Sequence, residues 1–140
     1  MKDNFFLVST NCDLANKLAV YTYITEQIES RDKEELLQLF FAREQIGSTL
    51  IADQIVLPHL QSSMIDKSQI VFITFKKPIE WDAETGRVKM VIAIVLKKDE
   101  TKKMKEKISL FTRTLADENY LQELADESDQ NLFLTKIKEK

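Results

Sequence analysis

The residues best suited to chemistry lie between positions 43 and 63: Arg43, Gly47-Ser48-Thr49, Pro58-His59, then Ser62 and Ser63. His59 is the only histidine of the 140-residue chain. A neutral imidazole is a good nucleophile near pH 7, where no other side chain changes charge as readily. Pro58 fixes its own backbone φ and biases Leu57 toward extended geometry, so His59 leaves a strand end in a defined direction. A phosphoryl acceptor needs an unprotonated ring nitrogen facing solvent, donors for the phosphoryl oxygens, and a cation against the developing negative charge. Arg43, Ser48, Thr49, Ser62 and Ser63 are placed to supply the last two, and an arginine fork can hold two oxygens at once. Each residue also has a plainer role open to it. A lone histidine can be structural, a cation at a helix C-terminus is favoured by the dipole in any case, and loop hydroxyls commonly satisfy local backbone groups.

Other chemistries find little material. One histidine and one cysteine, far apart in the chain, do not make a metal-ligand set. Two glycines in all exclude the glycine-rich phosphate and dinucleotide loops. Cys12 falls in the apparent first turn of a helix, which would lower a thiol pKa, with a buried, inert thiol as the alternative. Glu80 and Asp82 flank Trp81 in what reads as a solvated turn. The basic run from Lys97 to Lys107 reads as a solvated helix face, able also to neutralise a phosphoryl group or meet an acidic partner.

Positioning these residues falls to elements that the periodicity outlines. Both glycines and both prolines lie between residues 47 and 86, so the shaped loops are central and the flanks regular. Residues 5–9 read as a strand. Leu14, Leu18, Tyr21 and Ile28 then share a helical face, with Thr10 and Asp13 as a capping box. A second helix, about 32–42, opens on Asp32 and Glu35, buries Leu36, Leu37, Phe40 and Phe41, and delivers Arg43 at its end. Residues 54–57 form a short strand that Pro58 stops. Residues 69–76 and 88–96 are the strongest strands, the second an apolar run fit for burial on both faces. Helical spacing returns in 101–115 (Met104, Ile108, Phe111, Leu115), then in 117–125 and 128–139. Helices on both sides of a few strands give an α/β sandwich in one domain, residues 1–140.

Composition sets the surroundings. Apolar residues are 44% and charged residues 31%, with a net charge of −3 and a pI near 5.3. That balance argues against direct nucleic-acid binding, which needs clustered cations. No apolar run is long enough for membrane insertion and no signal peptide is evident, so the chain reads as cytoplasmic.

In order and spacing these pieces resemble the fructose/mannitol-type enzyme IIA domains of the bacterial phosphoenolpyruvate-dependent sugar phosphotransferase system. Arg43-Glu44-Gln45-Ile46-Gly47-Ser48-Thr49, then Val56-Leu57-Pro58-His59, is similar to that family's Arg-Glu-x-x-Gly-Ser-Thr and Ala-Ile-Pro-His-Gly, with arginine sixteen positions before histidine. Residues 75–81, 91–96 and 111–120 resemble its later segments. The resemblance implies a mixed central sheet sandwiched by helices. It implies that His59 accepts a phosphoryl group from HPr and passes it to a cysteine of an enzyme IIB domain, with no metal or organic cofactor. Arg43 would stabilise the group, and Gly47, Ser48, Thr49, Pro58 and Ser62 would border the pocket. Met104 stands where many members carry a second histidine, and Leu60 where they carry glycine. The alternative role is that of an enzyme IIA-like domain of a transcriptional regulator or antiterminator, where phosphorylation of His59 signals sugar flux.

Overall fold

In a computed structural model, which describes residues 5–139, eleven elements follow one another: β1 (Phe6–Cys12), α1 (Lys17–Gln27), α2 (Lys33–Ile46), β2 (Leu50–Ala52), β3 (Ile55–Val56), β4 (His59–Ser62), β5 (Gln69–Asp82), β6 (Gly86–Lys97), α3 (Lys102–Thr114), α4 (Glu118–Ala125) and α5 (Gln130–Glu139). The antiparallel hairpin β5–β6 is the centre. Its turn closes at Gly86, whose φ of +80° suits a residue without a side chain. β1 lies parallel on the outer edge of β5. On the far edge of β6 lie β3 and then β4, both parallel to it, and β2 pairs antiparallel with β3.

The apolar run of β6 is buried on both faces, as its composition requires. Met90, Ile92, Ile94 and Leu96 face the layer of α3, α4 and α5, with Ile108, Leu121 and Phe133. Val91, Ala93 and Val95 face α1 and α2, with Tyr21, Ile24, Leu36 and Phe40. The result is a three-layer sandwich around a mixed sheet. Alternation reverses near Gln54, whose carbonyl accepts from both Lys89 N–H (2.8 Å) and Met90 N–H (3.3 Å). Two successive donors on one acceptor make a bulge, so Val88 joins the α1/α2 layer.

α5 opens on Asp129, whose side chain accepts from Leu132 N–H at 3.0 Å, and the other four helices begin on the same kind of cap, accepting from the third residue on: Asn16, Asp32, Thr101 and Asp117. Three of these four starts agree with the spacing argument; that of α1 does not. The Thr10–Asp13 box does not form, because β1 continues through Cys12 with Asn11 at φ 56°. Thr10 instead donates to the Ser128 carbonyl at 2.9 Å. The helix therefore starts later, and its inner face is Val20, Tyr21 and Ile24, with Ile28 buried just past its end, while Leu18 is 54% exposed. Cys12 ends a strand rather than opening a helix, and burial raises its thiol pKa instead of lowering it. The Trp81 region is also corrected. It is strand, with Trp81 buried at 4% exposure. The pairing advances five residues on β5 against two on β6 between Thr74 and Ile79, so Phe75–Pro78 bulges out and Ile79 and Trp81 return to the core. No helix among the described residues is long and apolar enough to cross a membrane.

Candidate functional site

The site is assembled along the outer edge of β6. β3 pairs with Met90 and Val91, and β4 resumes opposite Ile94. Leu57 and Pro58 bridge the gap. Leu57 N–H donates to the Thr49 carbonyl (2.8 Å), and the Pro58 carbonyl accepts from Ile94 N–H (3.0 Å). Proline has no N–H to lose at this break, and its ring is buried. His59 follows as the first residue of β4, with an exposed side chain. The direction that Pro58 imposes is thus locked on both sides by backbone bonds. Leu60, one residue on, points to the opposite face and packs in the α1/α2 layer, so it does not stand over the histidine.

Arg43 reaches the site from the last turn of α2, which runs to Ile46 and not merely to residue 42. Its Nη1 donates to the Gly47 carbonyl at 3.3 Å, across the helix end. Partial burial of the imidazole, and then the Arg43 guanidinium, lower the His59 pKa below its ordinary 6.5. Both act in the same direction: the ring is held neutral at pH 7, the form with a free lone pair. The same cation that discourages a proton favours an incoming anion.

The loop between Gly47 and Thr49 is closed by local bonds. Ser48 Oγ accepts from Leu50 N–H at 3.1 Å. Ser62 Oγ likewise accepts from Met64 N–H at 3.0 Å at the far end of β4. Both hydroxyls serve their own turns first, with the hydroxyl proton left to give. Thr49 differs. It is 5% exposed, and its Oγ1 is buried with no hydrogen-bond partner. Ser63 lies further on, beside a depression lined by Arg31, Asp66, Lys97 and Lys98. Met104 sits in the first turn of α3 and packs against the α3–α5 layer. It borders a separate groove with Thr101, Lys103, Glu106, Lys107 and Leu110, which neither His59 nor Arg43 lines. The structure thus brings together His59, Arg43, Gly47, Thr49 and Pro58.

Spacing arguments gave no role to the residues behind Arg43. Glu44 turns inward, its side chain 7% exposed, and pairs with Lys17 Nζ at 3.3 Å. Lys17 also pairs with Asp82 at 2.8 Å. Tyr21 Oη donates to the other Glu44 oxygen. The adjacent Arg-Glu pair was the available signal, since neighbouring helix positions about 100° apart serve different faces.

With His59 read as a phosphoryl acceptor, as the sequence resemblance implies, Arg43→Ala is expected to slow its phosphorylation about a hundredfold, the usual scale for one lost charge-stabilising donor. It should also raise the His59 pKa toward its ordinary value. In the wild type the unfolded chain takes up the proton first as pH falls. Stability is therefore lost on acidification through the window between 6.5 and the lower folded pKa, and that window should narrow in Arg43→Ala. NMR titration of the single ring reads the midpoint, and urea melts at several pH values read the window.

Fold and site together define a class: three-layer α/β proteins that present a neutral histidine on the sheet edge with an arginine beside it from a helix end. The model of the family "Phosphoenolpyruvate-dependent sugar phosphotransferase system, EIIA 2" matches residues 6–140, and the chain belongs to this family. Over 101 residues it is 31% identical to a multiphosphoryl transfer protein of Shigella flexneri, covering 72% of this chain but 12% of that protein. It is 30% identical over 102 residues to the nitrogen regulatory protein of Klebsiella oxytoca, covering 70% of this chain and 62% of that one. It is 27% identical over 95 residues to the transcriptional regulator ManR of Bacillus subtilis, covering 68% of this chain and 14% of the regulator. The chain thus spans about an eighth of the multiphosphoryl protein's length. Mannitol enzyme IIA of Escherichia coli, solved in complex with phosphorylated enzyme IIB, superposes with a TM-score of 0.72 at 19% identity, covering 100% of this chain and 98% of that one. The family's members are components of a phosphotransferase system, and the fold is that of the mannitol-type enzyme IIA.

Proposed function

We propose that this chain is a phosphoryl relay: His59 accepts a phosphoryl group from phospho-HPr and passes it to a cysteine of an enzyme IIB domain. In the first step the P–N bond of the donor phosphohistidine breaks as a P–N bond to His59 forms. In the second, that bond breaks as P–S forms on the thiolate. Arg43 offsets the charge on the transferring oxygens in both. The observation that carries the reading is a solvent-open imidazole, kept neutral beside an arginine at a fixed strand end. A second observation supports a docking surface. Ile46, Leu50 and Ile51 are 80%, 45% and 44% exposed in the segment between Arg43 and the histidine, an apolar rim suited to a protein partner. The complex formed by the mannitol enzyme IIA supports a IIB acceptor. This reading takes residues 1–140 as one domain acting in the cytoplasm.

The relatives named as a transcriptional regulator and as a nitrogen regulatory protein favour a second reading. In it the same phosphorylation of His59 reports flux and no IIB cysteine need accept. Incubation with phosphoenolpyruvate, enzyme I and HPr should give an acid-labile adduct by mass, and a panel of IIB domains then distinguishes the roles. Discharge to a IIB cysteine identifies the relay; a stable adduct with every IIB identifies the regulator. No adduct, under conditions that label an established enzyme IIA, overturns both.

A further inference from the structure

The cluster behind Arg43 is more elaborate than the end of a helix requires. Glu44 is a carboxylate almost closed off from solvent, held by a tyrosine hydroxyl and a lysine from α1, and the lysine continues to Asp82 at the end of β5. Tyr21 is fully buried, stacks on Phe40 of α2 at 4.8 Å and meets Trp81 edge-on at 5.6 Å. Burial opposes the charge on Lys17, but Asp82 and Glu44 together outweigh it and its pKa is raised. Burial and the Glu44 bond also raise Tyr21, so its hydroxyl keeps its proton and remains a donor. Two side chains of α1 thus hold one carboxylate in the last turn of α2, and Lys17 ties it on to the end of β5. Arg43 is the adjoining residue, and its side chain bonds across the helix end to the Gly47 carbonyl. Successive helix positions are about 100° apart, so fixing the azimuth of Glu44 fixes that of Arg43.

We propose that Glu44, held by Tyr21 and Lys17, is a positioning residue that sets where the Arg43 guanidinium stands relative to His59. The proposal rests on the reading of His59 as phosphoryl acceptor. It predicts that loss of the anchor acts on the site through Arg43 rather than through the carboxylate's own charge. The two routes have opposite signs. Removing a nearby anion lowers an imidazole pKa, whereas letting a cation drift away raises it. With one histidine in the chain, ring titration by NMR reads this directly, on unphosphorylated protein, so the outcome stands apart from whether HPr is the donor.

In Glu44→Ala the His59 midpoint should rise toward that of Arg43→Ala, with little further rise in the double variant. Phosphorylation should slow about tenfold or more, short of the full loss expected for the missing arginine. Glu44→Gln removes the same charge but keeps an acceptor for Tyr21, so its midpoint should stay at or below the wild-type value. Tyr21→Phe, which changes one buried hydroxyl, should move the midpoint upward by less. If folded Glu44→Ala and Tyr21→Phe both titrate at or below wild type, the proposal is overturned. Should Glu44→Ala fail to fold, Tyr21→Phe decides alone.

Discussion

His59→Ala should leave no acid-labile phosphoryl adduct when incubated with phosphoenolpyruvate, enzyme I and HPr, while its fold is unchanged. The loss should be complete because nucleophilic transfer has no second imidazole to fall back on: the chain holds one histidine. The fold should survive because the side chain is exposed, and the strand is held by backbone bonds that alanine retains, Pro58 carbonyl to Ile94 N–H among them. Exposed substitutions of this kind usually shift stability within about 0.5 kcal/mol. Intact-mass measurement after acid and after mild base reads the adduct, and circular dichroism with a urea melt reads the fold. An adduct that persists in His59→Ala would move the acceptor to another residue.

Phe72→Ala should show the converse: a large loss of stability from a residue that takes no part in the transfer. Phe72 is fully buried on the central strand β5, where its ring contacts Phe6 from β1, Phe111 from α3 and Phe133 from α5. Truncation removes a contact shared by one helical layer and two strands, and the rigid sheet cannot close the space. About 3–5 kcal/mol is the usual cost. For a domain whose total is on the order of 5–15 kcal/mol that is a large share. Linear extrapolation of urea melts measures it, and a loss below about 1 kcal/mol would mean that the three-ring contact relaxes. Where Phe72→Ala stays folded, its His59 midpoint should match wild type, because the residue lies in the α3–α5 layer and Arg43 is carried by the other.

These outcomes also show why parts of the molecule were legible in the sequence. β6 was evident because burial on both faces demands an unbroken apolar run, and α3 to α5 because their apolar spacing has no competitor. The pairing of Arg43 with His59 was legible as spacing and its resemblance to a family pattern. What was hidden depended on events of one residue. The positive φ at Asn11 lets β1 run on through Cys12 and delays α1, which turned Leu18 outward. The bulge before Ile79 drew Trp81 into the core from a segment whose charges read as a turn. β2 was missed because Leu50 and Ile51 are exposed, and so lack the alternation that announces a strand. The Glu44 cluster was invisible for a different reason: Lys17, Tyr21, Glu44 and Asp82 are distant in the chain, and no local pattern announces a pairing made only when α1, α2 and β5 meet.

The imidazole proposed as acceptor hangs from the edge of β6, a strand enclosed on both faces, while the apolar rim beside it belongs to a helix end and a short outer strand that bury little. Chemistry and recognition are thereby separable under selection. On the docking reading proposed above, substitutions at Ile46, Leu50 and Ile51 would change the partner with small penalty to the fold, because these side chains bury little, whereas the histidine and its support would have to be inherited together.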